Sequence, residues 1–291
     1  MKAAVVILNW NKAEQTRRCL EIARRTTLEP AGWIVVDNGS ADPIGGLDPD
    51  VTLLLNPENL GFAGGVNCGL RHAFAAGADH VWLLNNDAES RPGALDALLA
   101  TARADPQIGL ASALVLNADE DDAVEFHGGL WRDFTYHKTA DAAEYACWQA
   151  EAPDRIWLVG TALLVSRRLV ERIGYFDEAM FAYWEDNDIS RRSSAAGFRN
   201  VVVAGAAVSH ESGHPAANPE ERPPYFYYYM VRNELLLMRK MGEAGKLRPL
   251  YWMFRRTLRL HRRLGSLAPQ RKAVWRGALD GMLGRGGAYR G

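Results

Sequence analysis

Short β-rich runs alternate with helical stretches through the first 116 residues, and this alternation restricts the chain to few architectures. Ala4–Leu8, Trp33–Val36, Val51–Leu55 and Val81–Leu84 read as strands, and Ile108–Leu116 as a further one. Helical stretches lie between them, over about residues 13–25, 63–76 and 92–104. Apolar strands separated by helices predict an α/β fold whose mixed, mainly parallel sheet carries helices on both faces. Pro92 suits the first turn of its helix, with Ser90 as the cap.

The second half is less regular. Residues 117–155 are rich in Asp, Ala and aromatic residues without clean periodicity, and read as an insertion or a mobile substrate-side segment. Trp157–Ser166 reads as a strand, Arg167–Ile173 as a helix, a short helix ends at Ala196, and Asn200–Ala204 reads as a strand. His210–Pro224, with four prolines, is expected to be a loop. From Tyr225 onward Arg and Lys interleave with Leu, Met, Trp and Phe in a helical pattern.

At 291 residues the chain can hold one large domain or a domain with an appendage. It has no run of about 18 apolar residues, and its apolar start, Ala3–Leu8, is too short for a signal-peptide core. The expected location is the cytoplasm. Cys19, Cys68 and Cys147 are odd in number and widely spaced, so neither a disulfide framework nor a zinc pattern is expected. The net charge of −1 hides a division: residues 231–291 carry 15 Lys and Arg against 3 Asp and Glu. Such a basic tail suggests an anionic partner. Within it, Leu250–Arg263 has the aromatic and basic mix of an interfacial amphipathic helix, and equally of a helical subdomain with solvated arginines. No nucleic-acid reader motif accompanies it.

Polar residues cluster where strands end: Asn9 and Asn11 after the first, Asp37-Asn38-Gly39-Ser40 after the second, Asn85-Asn86-Asp87 after the fourth. In open parallel sheets ligands bind outside the carboxyl ends of strands, although Asp37-Asn38-Gly39-Ser40 is also ordinary turn chemistry. Asn59-Leu60-Gly61-Phe62-Ala63-Gly64-Gly65-Val66-Asn67 is a glycine-rich helix entry, suited to a phosphate or to close helix–sheet packing. It lacks the Gly-Lys-Ser/Thr of a P-loop. Asp87 ends a very apolar strand and suits a hard divalent cation shared with substrate phosphates. His210 follows the strand Val201–Val208 and is either structural or a ligand.

Phe181-Ala182-Tyr183-Trp184-Glu185-Asp186-Asn187-Asp188 places three carboxylates within four residues, behind an aromatic run. Acids favour the first turn of a helix. A carboxylate held against apolar walls is also suited to taking a proton from a substrate.

Taken in order, these pieces resemble the inverting family 2 glycosyltransferases of the GT-A fold, in their rhamnosyltransferase-like and galactofuranosyltransferase-like branch. The matching stretches are Val5–Asn11, Val35–Ser40, Asn59–Asn67, Leu83–Asp87, Gly160–Val165, Trp184–Asp188 and His210. The resemblance implies a metal-dependent transfer of a sugar, rhamnose being favoured, from a UDP- or dTDP-sugar to a saccharide, glycolipid or other glycoconjugate. Asp37 would accept from the nucleotide base, with Asn9, Asn11, Asn38, Asn59, Gly64, Gly65, Asn67, Asn85 and Asn86 around the donor. Asp87 and His210 would hold Mg²⁺ or Mn²⁺, with Asn85 standing where the fullest motif has Asp. Asp186 would be the general base, and Trp184, Glu185, Gly160 and Thr161 would meet the acceptor. The implied organisation is a GT-A domain over 1–222, divided into a nucleotide-sugar half (1–116) and an acceptor half (117–222), with a basic helical extension over 223–291 that could meet an anionic membrane surface on the cytoplasmic side. An oligomer is compatible with this reading. Competing classes are a sugar nucleotidyltransferase, whose N-terminal Gly-rich signature is missing after Leu8, and a non-catalytic nucleotide-sugar-binding protein.

Overall fold

The computed structural model describes residues 1–27, 30–132, 135–211, 222–242 and 247–291. The chain runs β1 (Ala3–Asn9), α1 (Ala13–Thr26), β2 (Gly32–Asp37), β3 (Val51–Leu55), α2 (Gly61–Ala75), β4 (His80–Asn85), β5 (Ala88–Ser90), α3 (Ala94–Ala104) and β6 (Ile108–Asn117). There follow β7 (Ala123–Phe126), β8 (Gly128–Arg132), β9 (Thr135–Thr139), α4 (Ala142–Glu151), β10 (Ile156–Trp157), β11 (Ala162–Ser166) and α5 (Arg167–Ile173). The last elements are α6 (Glu185–Ala195), β12 (Arg199–His210), α7 (Pro224–Lys240), α8 (Leu247–Arg263) and α9 (Ala268–Met282).

Two compact units emerge. The first comprises Met1–Leu60, Gly64–Phe176 and residues from Ile189 through the end of β12. Its main sheet has the order β3-β2-β1-β4-β11-β6-β12-β5, with β7 added on β6. β3, β2, β1 and β4 are mutually parallel, as are β6 and β12, whereas β11 and β5 run antiparallel to their neighbours. Val5, Val6 and Ile7 in β1 and Val81, Trp82 and Leu83 in β4 are buried at consecutive positions, so both faces of the sheet are covered. The Cβ that an alanine would add at Gly65 would lie 2.5 Å from Leu8 Cδ1, which brings α2 down onto β1.

Several expectations need correction. α3 starts at Ala94 after Gly93 in a left-handed conformation, so Ser90 is not its cap. Ser90 instead belongs to β5 and shares a 2.6 Å hydrogen bond with Thr26. Residues 117–155 are not an irregular insertion: β8 and β9 form a hairpin that joins β10 in a second, antiparallel sheet. α4 follows, capped by Asp141, which accepts from the amides of Ala143 (2.7 Å) and Glu144 (2.9 Å). Trp157–Ser166 is two strands, because β10 pairs in the small sheet while β11 pairs in the large one. β12 is longer than expected, running through an irregularity between Val203 and Ala207 to end on His210 itself. Most of the expected proline-rich loop lies outside the described residues.

The second unit comprises Gly61–Ala63, Asp177–Asp188 and the described residues from Arg222 onward. Tyr227, Val231, Leu235 and Met238 of α7 form a core with Met253 of α8, Leu264, and Val274 and Ala278 of α9. Within the basic tail, one face of the helices is therefore apolar core, as the subdomain reading requires. No described helix is long and apolar enough to cross a membrane.

Candidate active site

Parallel pairing sets Asn9 beside Asp37 and Leu8 beside Asn85, so β1, β2 and β4 end together at one edge of the sheet. Asp37 is 1% exposed. It accepts from the amides of Ser40 (2.9 Å) and Ile44 (2.9 Å) and from Asn9 Nδ2 (2.8 Å). Burial alone would raise its pKa, but these donors outweigh burial and hold the carboxyl below its ordinary range. Asn9 also donates to Ser40 Oγ (3.2 Å), and Asn11, at φ 55°, accepts from the Ala41 amide (2.8 Å). Gly39 lies at φ +71°, and a Cβ there would come within 2.3 Å of the Glu58 backbone, so only glycine fits this turn. Asn38 donates to Asn59 Oδ1 (3.1 Å) and accepts from the Leu60 amide (3.2 Å), tying the β2 loop to the start of α2.

Three of the expected donor contacts have structural employment. Asn67 is fully buried and donates to the Phe176 carbonyl (2.9 Å) while accepting from the Phe176 amide (3.1 Å). A Cβ at Gly64 would meet Leu60 at 2.7 Å, and at Gly65 Leu8 and Asn38. The close helix–sheet approach that the sequence allowed is present at Gly65.

The end of β4 gains its partners from β12. Because β5 pairs antiparallel with β12, His210 comes opposite Ala88 and so beside Asp87. His210 Nε2 lies 3.3 Å from Asp87 Oδ1, and Nδ1 lies 3.6 Å from Glu125 Oε2. Burial would lower the imidazole pKa, but the two carboxylates outweigh it and raise it. Asn86 donates to Thr16 Oγ1 (3.0 Å), and the Asn85 amide donates to the Thr161 carbonyl (2.9 Å), which places Thr161 and neighbouring Gly160 at the same strand end. Among the described residues no cluster of three or more His, Cys, Asp or Glu side chains is arranged to hold a metal ion by itself. The buried Asp87 Oδ1 with a ring nitrogen 3.3 Å away fits a divalent cation that takes most of its ligands from phosphates and water.

In the second unit, Phe181, Tyr183 and Trp184 all lie at positive φ (63°, 67° and 71°). Such conformations cost about 1–2 kcal/mol per non-glycine residue and need support from their surroundings. The support comes from α7: Asn233 Nδ2 donates to the carbonyls of Met180, Ala182 and Tyr183, each at 2.8 Å. Arg232 adds bonds to the carbonyls of Ala179 (3.1 Å) and Met180 (2.7 Å). Phe181 stacks on Tyr229 with ring centroids 5.5 Å apart. The three carboxylates that follow take different environments. Glu185 is buried, and burial together with Asp186 and Asp188 raises its pKa well above the carboxylate range. Asp186 is half-buried, and its Oδ1 accepts from the amide (2.7 Å) and Nδ2 (2.8 Å) of Asn187. Asp188 is fully buried and pairs with Lys240, which also reaches Asp177 at 2.8 Å.

The structure thus joins Asn9, Asn11, Asp37, Asn38 and Asn59 in one network, and Asp87 with His210 in another. It gathers Trp184, Glu185 and Asp186 on the Arg232–Asn233 support. Glu125, Arg232, Asn233 and Lys240 were not anticipated. A signal for two of them exists: Arg232-Asn233-Glu234 is a polar triplet inside an otherwise apolar helix, where such residues are seldom buried without partners.

Comparison with known proteins follows the same lines. Residues 4–172 match the model of glycosyl transferase family 2. The N-acetylglucosaminyl-diphospho-decaprenol L-rhamnosyltransferase of Mycobacterium tuberculosis is 29% identical over 235 residues, covering 72% of this chain and 76% of that protein. The galactofuranosyltransferase GlfT1 of the same organism is 27% identical over 220 residues, covering 74% and 71%. Among solved structures, S. aureus TarS 1-349 superposes with a TM-score of 0.59 at 15% identity, covering 97% of this chain and 80% of that one. GalNAc-T7 with UDP, GalNAc and Mn²⁺ gives 0.60 at 16% identity, covering 82% and 48%. The shared fold is GT-A.

Proposed function

The chain belongs to glycosyl transferase family 2 and is a glycosyltransferase, and we propose that it moves a sugar, rhamnose being favoured, from a UDP- or dTDP-sugar to a hydroxyl of a lipid-linked saccharide with inversion. The observation that carries this reading is the convergence of the Asp37 network and the Asp87–His210 pair at the carboxyl ends of the parallel strands β1, β2 and β4, where open α/β sheets bind ligands. The mycobacterial rhamnosyltransferase, named for a diphospho-lipid carrying N-acetylglucosamine, supports the choice of sugar and acceptor. The charge of residues 231–291 suits an anionic membrane surface, where such an acceptor resides.

Asp37, accepting from Asn9, Ser40 and Ile44, orders the loop around the nucleotide and would face a base N–H there. Asp87 and His210 would hold Mg²⁺ or Mn²⁺ on the diphosphate, and the ion when bound supplies Lewis-acid stabilisation of the leaving group. Asp186, oriented by Asn187, accepts the proton of the acceptor hydroxyl as its oxygen bonds to the anomeric carbon and the bond to the nucleoside diphosphate breaks. Glu185, held toward its neutral form by burial, limits like-charge repulsion on Asp186 and donates to an acceptor hydroxyl. Thermal shift over UDP- and dTDP-sugars, with and without Mn²⁺, tests the donor side, because a ligand bound only by the folded state raises apparent stability. Stabilisation by none of them would sink the proposal.

A further inference from the structure

A pocket of about 420 Å³ lies between α7 and α8, wholly within the second unit. Its floor is apolar, built from Phe226, Tyr227 and Val231 of α7 and Met253 and Leu260 of α8. Its rim is cationic, with Arg222, Arg256, Arg259 and Arg263 against one lining acid, Glu234, which Arg256 pairs at 2.6 Å. The pocket adjoins the acidic run: the Arg256 guanidinium lies 6.0 Å over the Trp184 ring, and Phe226 meets Tyr183 edge-on at 5.2 Å.

The outer side of α8 points the same way. Met253 and Thr257 face the core, whereas Tyr251 and Phe254, each 56% exposed, point outward, with Leu258 one helical turn further on. α8 therefore carries apolar side chains outside its core-facing side as well, and it has arginines but no Asp or Glu. A helix that met only water would not need these outer apolar side chains, whereas one at a lipid surface would.

We propose that the α7–α8 pocket binds the phosphate end of a lipid, its phosphate or diphosphate among Arg256, Arg259 and Arg263 and the first part of its hydrocarbon chain on the apolar floor. Guanidinium groups match phosphate oxygens in forked pairs, and the volume is within the range of small-molecule sites. A nucleotide is a poorer match, since the floor offers a base few polar groups. The assignment of this lipid as the carrier end of the acceptor rests on the function proposed above. It would leave the attached sugar beside Trp184 and Asp186.

The test is tryptophan fluorescence titration of the full chain with farnesyl diphosphate, using farnesol and inorganic diphosphate as the two half-ligands. Farnesyl diphosphate should bind at least about tenfold more tightly than either half. The exposed-site double variant Arg259→Gln/Arg263→Gln should weaken it by about tenfold or more while the thermal shift by nucleotide-sugars is unchanged. Equal binding of either half-ligand, or an unaffected double variant, would overturn the proposal. So would equal displacement of farnesyl diphosphate by phosphatidylglycerol vesicles, which would give the pocket to bulk lipid. The titration contains neither donor nor sugar, so a failure of sugar transfer would count against the proposed reaction and leave this result standing.

Discussion

Asn233 Nδ2 lies 2.8 Å from the carbonyl oxygen of Tyr183 and shares its two hydrogens with the carbonyls of Ala182 and Met180 at the same distance. One buried amide on α7 thereby fixes the backbone that aims the acidic run. Asn233→Ala should leave the Ala182 and Tyr183 carbonyls without this donor while Met180 keeps Arg232, at a cost of about 1–3 kcal/mol. The variant should unfold several degrees lower and lose turnover disproportionately. Calorimetry and transfer assays on one preparation check this, and an unchanged melting temperature would show that the positive-φ stretch holds itself.

Asp186→Asn should retain donor binding and lose turnover by about 10²–10⁴-fold, the usual contribution of a general base. Nucleotide-sugar thermal shifts alongside transfer rates separate the two effects. Turnover near that of the unaltered chain would remove Asp186 from the chemistry.

Replacing the Asp87–His210 pair should uncouple the nucleotide from the cation. In Asp87→Asn and in His210→Ala, Mn²⁺ should no longer increase stabilisation by the nucleoside diphosphate, while the ion-independent part of binding through the Asp37 loop persists. Titration with and without a chelator reads this directly. Equal Mn²⁺ enhancement in both variants would place the cation elsewhere.

Glu234 makes stability pH-dependent. Its carboxyl is buried against apolar groups, and burial pushes its pKa up to about 7 despite the Arg256 guanidinium. The folded state therefore binds this proton more tightly than the unfolded state, whose carboxyl titrates near the ordinary 4.5. The resulting stability is fully present below that lower value and is lost as pH rises through about 7. A difference of this size corresponds to at most about 3 kcal/mol. Glu234→Gln should flatten the pH dependence of the denaturation midpoint between 4.5 and about 7, leaving the part due to Glu185, which has the same sign. A midpoint with undiminished slope would exclude Glu234 as its source.

Gly39→Ala should disturb the nucleotide loop without removing a polar group. The added Cβ would strike the Glu58 backbone, and the left-handed φ would add about 1–2 kcal/mol of strain. Nucleotide-sugar stabilisation should fall more than intrinsic stability does, because the Asp37 hydrogen bonds from Ser40 and Ile44 depend on that turn. Equal loss of both would make Gly39 a purely structural residue.

The strands of the first half were legible because each is a short apolar run bounded by turn residues. β3 spans the residues expected of it, and β1, β2 and β4 differ at their ends by a residue or two. Residues 117–155 were not legible, since the β8–β9 hairpin is held by tertiary packing on Tyr145 and Trp157 instead of by alternating side chains. Asp188 read as a helix-start acid, and it does lie in the first turn of α6, but its burial and its pairing with Lys240 could not be seen from its neighbours.

The sequence by itself determined that Asn9, Asp37 and Asn85 end parallel strands and that three carboxylates follow an aromatic run. These are local facts, carried by hydrophobic periodicity and by adjacency along the chain. Only the tertiary structure decided that His210 meets both Asp87 and Glu125, that Arg232 and Asn233 hold the aromatic run at positive φ, and that α8 closes an arginine-rimmed pocket beside it. Each of these depends on a register or a helix face set by burial of side chains remote in sequence, and no local pattern encodes such a pairing.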